Sequence, residues 1–131
     1  MKLVLQNSSL KLRRTPVSVT FTPSDFENPV NNALIGGATS QQRGEVREIS
    51  NYTTSQLTPI PEGSRTAVSY NTGYPLNDGY CTFALYNTNN ECLVTAAPST
   101  VLQLSDYPTA TKFRAAWKNK LLNEATFVFT E

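Results

Sequence analysis

The chain has 131 residues and a mass of 14.5 kDa, a length that suits one domain built on one core. Ser, Thr, Asn and Gln make up 45 of the 131 residues, only 16% are charged, and 11 basic against 10 acidic side chains leave a net charge of +1. That balance argues against a surface built to neutralise nucleic-acid phosphates, and the absence of histidine removes the commonest general base, transition-metal ligand and near-neutral pH switch.

The first 14 residues carry Lys2, Lys11, Arg13 and Arg14 and no acid. They read either as a basic N-terminal arm over residues 1–14, suited to an acidic neighbouring subunit or to nucleic acid, or equally as a solvated strand and turn, with Lys2 to Gln6 the candidate strand. Met1 to Leu5 is too short for the apolar region of a signal peptide, and no stretch approaches the roughly 20 apolar residues that span a bilayer. The expectation is a protein made in the cytoplasm with no membrane partner.

From Val17 onward the dominant period is two. Val17 to Thr22 alternates, with Val17, Val19 and Phe21 on one face. Pro23-Ser24-Asp25 then signals a turn, where Ser24 or Asp25 would cap one helical turn before Pro29. Gly36-Gly37 reads as a turn, and the stretch from Gly36 to Gly44 as a loop rich in Ser, Thr and Gln. Strands are expected at Glu45 to Ser50, Gln56 to Ile60, Thr66 to Tyr70, Tyr80 to Tyr86, Glu91 to Ala96, Thr111 to Trp117 and Ala125 to Thr130. Turn residues separate nearly all of them, and Lys118 to Asn123 offers one helical turn before the last strand. About nine short strands in one domain predict an all-β, antiparallel sandwich of the jelly-roll kind.

The hairpin from Tyr80 to Ala96 bears on the two cysteines. A two-residue loop at Asn89-Asn90 sets Leu85 opposite Val94 and Phe83 opposite Ala96 on one apolar face. In that register Cys81 and Cys92 point inward but stand six residues apart, about 20 Å at ~3.4 Å per residue. A disulfide needs Cα atoms within about 7 Å, so two free thiols suited to a reducing compartment are expected.

Tests for chemistry return little. Zinc, haem and Cys-His catalysis lack their histidines, and Asn77-Asp78-Gly79 is better explained as a tight turn than as a calcium loop. Glu45, Glu48, Glu62, Asp78 and Glu91 could supply a carboxylate pair for glycoside cleavage only if folding brought two together, and Glu45 and Glu48 face opposite sides of a strand. No catalytic residue, cofactor or metal site is assigned. Tyr70, Tyr74 and Tyr80 bracket a loop whose Asn77 and Asp78 suit sugar hydroxyls while a tyrosine stacks on a pyranose face. Those five residues are the candidate ligand site, for a host-surface glycan. The plainer reading has the tyrosines covering a sheet edge with their hydroxyls in water.

Three segments in this order carry a resemblance: Tyr52 with Leu57-Thr58-Pro59-Ile60-Pro61-Glu62-Gly63, then Thr82 to Val94, then Tyr107-Pro108 running into Ala110 to Ala115. Together they resemble jelly-roll domains, similar in shape to galactose-binding-like modules, of phage tail, fibre and capsid-decorating proteins, including those of crAss-like phages. The sequence departs from that pattern at an Asn-rich turn without Gly and at Leu85, where an aromatic is usual before Tyr86. The resemblance implies a virion protein whose partners are the major capsid protein or fibre and its own copies, with Lys11, Arg13 and Arg14 as subunit contacts. A carbohydrate-binding module is the alternative, and a glycan-cleaving enzyme a third.

Overall fold

The computed structural model describes residues 17–37, 43–70, 80–119 and 124–131. The strands are β1 (Ser18–Phe21), β2 (Val30–Gly36), β3 (Val46–Thr54), β4 (Thr58–Pro59), β5 (Thr66–Tyr70), β6 (Tyr80–Cys81), β7 (Phe83–Asn87), β8 (Cys92–Ala96), β9 (Leu102–Gln103), β10 (Ala110–Lys118) and β11 (Thr126–Thr130). Two 3-10 turns, Pro23–Asp25 and Leu104–Asp106, interrupt them. The all-β expectation holds, and every strand pairing is antiparallel.

One sheet has the order β1-β11-β5-β9 and the other β6-β2-β3-β10-β7-β8, with β4 also paired to β10. The chain therefore passes repeatedly between two layers. Their facing sides bury Ala67, Phe127 and Phe129 from the first sheet against Phe83, Leu85, Phe113, Ala115 and Trp117 from the second. Ring contacts run through this core, from Phe113 on Phe129 at 4.7 Å to Phe26 stacked on Trp117 at 5.5 Å. Phe26 arrives from the loop after the first 3-10 turn, where the Asp25 carboxylate accepts the Thr22 N–H at 2.8 Å. Asp25 thus caps from inside the turn, which begins at Pro23 and not after Ser24.

β3 and β4 form one interrupted strand along β10, and Ser55 bridges the gap. Its N–H donates to Ala115 O at 2.7 Å, and its hydroxyl accepts the Ala115 N–H at 2.9 Å. The side chain stands in for a ladder carbonyl, so the ladder continues through the break. Arg114 closes over the same point, donating to Ser55 O at 2.8 Å.

The hairpin register agrees with expectation at Phe83 opposite Ala96 and Leu85 opposite Val94, but the loop does not. Thr88, Asn89 and Asn90 form a three-residue turn closed by Asn87 N–H to Glu91 O, with Asn90 at φ 66°. A register shift past Leu85 then sets Tyr86 opposite Cys92. This is the turn-plus-bulge geometry of longer hairpin loops, and the extra residue turns Cys92 to the other face. A bend at Thr82 separates Cys81 from β7. Neither thiol therefore joins the aromatic core. Both belong to a second cluster with Leu34, Ile35, Ala84, Tyr86 and Ala116, and both are free.

Three further readings are corrected. β2 is a strand where only loop and turn residues were evident, and Gly36 ends it instead of turning the chain. β9 adds a two-residue strand to the first sheet. Val17 and Val19, expected on a buried face, are 48% and 38% exposed, because β1 is an edge strand and only Phe21 reaches the core. The predicted strand at Lys2 to Gln6, the helical turn at Lys118 to Asn123 beyond Asn119, and the middle of the Gly36 to Gly44 loop lie outside the described residues.

Candidate functional site

The sequence-predicted ligand residues do not come together as a site. Tyr70 ends β5 in the first sheet, opposite Thr126 and 41% exposed, whereas Tyr80 begins β6 at the edge of the second. The Tyr80 ring is already engaged by the Arg47 guanidinium, 5.7 Å from its centroid. Tyr74, Asn77 and Asp78 lie outside the described residues, as do Lys11, Arg13 and Arg14. The described carboxylates of the hydrolase reading, Glu45, Glu48, Glu62 and Glu91, are all exposed. Among the described residues no three Asp, Glu or Cys side chains are grouped to hold a metal.

A different place has the features of a site. Where β2 leaves the 3-10 turn, its partner β3 gains extra residues between Asn31 and Ala33, and Asn32 takes a left-handed conformation at φ 54°. Asparagine adopts that conformation more readily than most side chains, which suits an Asn-Asn pair here. Consecutive residues of a regular strand point to opposite faces. At this bulge Asn31 and Asn32 instead line the same cleft, about 650 Å³ in volume, and both are exposed. Re-aiming a side chain at a functional surface is a recurrent use of bulges.

β3 and β10 form the cleft's floor. The Thr53 hydroxyl donates to Asn119 Oδ1 at 2.7 Å across the two strands, fixing the Asn119 amide. Pro23, Ser24 and Pro29 form the wall from the first 3-10 turn and the loop after it. Trp117 completes the lining, its ring stacked on Phe26 at an interplanar angle of 19°. Its indole Nε1–H is buried without a hydrogen-bond partner among the described residues. An orphaned buried donor costs about 1–3 kcal/mol, so the fold carries an unmet donor at a cleft. Among the described lining residues none is charged.

Two titrating groups elsewhere are strongly perturbed. Burial pushes the Cys81 thiol up to about 12 from its ordinary value of 9.0, and raises the Tyr86 hydroxyl as well. Cys92 is raised for the same reason, with Arg43 acting against the shift. These are signatures of protonated core groups, since a nucleophilic cysteine needs a lowered pKa.

Trp117 had appeared in the sequence only as a residue of an alternating strand. Four separate segments build the cleft, so no local motif announces it. The one available signal was the Asn31-Asn32 pair ahead of an apolar run. Compared with known proteins, the chain matches no family model, no curated protein and no solved structure.

Proposed function

We propose that this chain is a non-enzymatic structural protein of a bacteriophage particle, a capsid-decorating or fibre-associated jelly roll synthesised in the host cytoplasm and retained in the virion. The observation that carries the reading is the open edge of the first sheet. Among the described residues β1 pairs only with β11, and Val17 and Val19, at and just before this edge strand, stand exposed. A sheet edge with exposed β-branched side chains is a ready template for strand addition by a neighbouring subunit or a second copy. The sequence resemblance to phage jelly rolls supports the same assignment.

The test is retention on the particle. Val19→Lys places a charge on the free edge at an exposed position, and alanine at Lys11, Arg13 and Arg14 removes the arm's charge. Both variants are expected to fold like the parent and to be depleted from purified particles. Full retention of both would sink the edge and arm as the attachment surface.

A further inference from the structure

We propose that the cleft formed by Asn31, Asn32, Thr53, Asn119 and Trp117 is a binding site for a neutral saccharide. The proposal stands apart from the particle role, since a decorating, fibre or free protein could carry such a site. It also moves glycan recognition away from the Tyr70 to Tyr80 loop.

Three independent features converge. The first is the unmet donor: Trp117 lines the cleft, and its buried indole Nε1–H finds no acceptor among the described residues. Buried polar groups are nearly always satisfied, and with its Nε1 closed to solvent this donor takes an outside partner, a ligand hydroxyl or a water, only if the cleft opens at its floor. The second is the backbone. The left-handed Asn32 and the irregular β2–β3 register place two adjacent amides at one surface, which an unbroken strand does not do. Locally disfavoured backbone concentrates at ligand sites, where surrounding structure holds it in place.

The third is the chemistry of the lining. Each asparagine amide carries both an acceptor oxygen and a donor NH2, which matches a sugar hydroxyl acting as donor and acceptor at once. Asn31 and Asn32 make no side-chain hydrogen bond among the described residues, and Asn119 has its oxygen committed to Thr53, leaving its NH2 directed elsewhere. Pro29, half-buried in the cleft wall, supplies apolar surface for the C–H face of a pyranose. With no charged side chain among the described lining residues, a carboxylated, sulfated or phosphorylated ligand would lose its hydration without gaining a counter-charge from them. A cleft of about 650 Å³ lies within the range of small-ligand sites, ~300–1,000 Å³.

The experiment uses the only tryptophan of the chain as its reporter. The ¹⁵N-labelled protein is titrated with neutral hexoses, 6-deoxyhexoses and N-acetylhexosamines, and with sialic acid as the charged control, while the single indole Nε1–H resonance is followed. A saturable shift with at least one neutral sugar, and none with sialic acid, is expected. Asn32→Gly keeps the left-handed backbone while removing the amide, and Asn31→Ala removes its neighbour. Each should weaken binding about tenfold, the loss of one or two hydrogen bonds, with the remaining amide spectrum unchanged. Trp117→Phe, followed by calorimetry, should weaken it by a similar factor. The proposal is overturned if no neutral sugar gives a saturable shift. It is equally overturned if the affinity is the same in Asn31→Ala and Asn32→Gly, or if sialic acid binds as well as the neutral sugars.

Discussion

Replacing Gly44 by alanine probes how the turn between β2 and β3 packs on β8. Gly44 has φ +82°, a region where a residue with a Cβ is disfavoured by about 1–2 kcal/mol. An added Cβ would lie 2.2 Å from Cys92 Cβ and 2.6 Å from Cys92 Sγ. Rotating the thiol cannot relieve the first contact, because Cβ is fixed to the backbone. Either β8 or the turn must shift, and overpacking of that kind costs about 1–3 kcal/mol. The expected loss is therefore about 2–5 kcal/mol, against a global stability of roughly 7–20 kcal/mol for a chain of this length. Cys92→Gly removes both clashing atoms, so in that background Gly44→Ala should cost only the conformational part, about 1–2 kcal/mol. Urea unfolding of the four proteins, followed by Trp117 fluorescence, measures the cycle. A Gly44→Ala cost that is the same in both backgrounds, or negligible in the parent, would refute the packing of this turn on Cys92.

Three other outcomes follow from the same packing. Phe113→Ala removes a ring in contact with Phe21, Phe83 and Phe129 and should lower stability by about 3–5 kcal/mol in equilibrium unfolding. Two buried serines should respond oppositely: Ser55→Ala strands the Ala115 N–H and costs about 1–3 kcal/mol, whereas Ser69→Ala removes a buried hydroxyl with no partner among the described residues and should be neutral or stabilising. A large loss at Ser69 in the same assay would contradict its unsatisfied state. The Cys81 thiol, raised from 9.0 to about 12, keeps its proton in the fold after the unfolded chain has lost it. Stability from this group is thus complete below pH 9 and falls by about 1.4 kcal/mol per pH unit from there towards pH 12. A Cys81→Ser variant should show a shallower alkaline decline in urea-unfolding stability, and the parent's folded thiols should react with a maleimide only slowly at neutral pH.

Strand alternation made the sandwich legible, because a half-buried strand writes its two faces directly into the sequence. Phe83, Leu85, Val94 and Ala96 reached their partners in the register that pattern implied, even though the loop was longer than expected; the bulge beyond Leu85 absorbed the difference. The pattern failed where tertiary position decided burial. Val17 and Val19 alternate like core residues, yet they stand exposed at an edge, and nothing local distinguishes an edge strand from a central one. β2 was hidden because Asn31, Asn32 and Gly36 look like punctuation, while its strand character comes from the pairing with β3. The cleft was illegible for a related reason. Its residues are spread from Pro23 to Asn119, and the unmet indole donor exists only once Trp117 is buried.

The central proposal, a structural role in a phage particle, is tested most directly by quantitative mass spectrometry of virions gradient-purified from a lysate that contains this chain. The account predicts the chain at a fixed ratio to the major shell or fibre subunit, constant across preparations. Its absence from intact virions, or its recovery only in the unassembled fraction, would contradict the account.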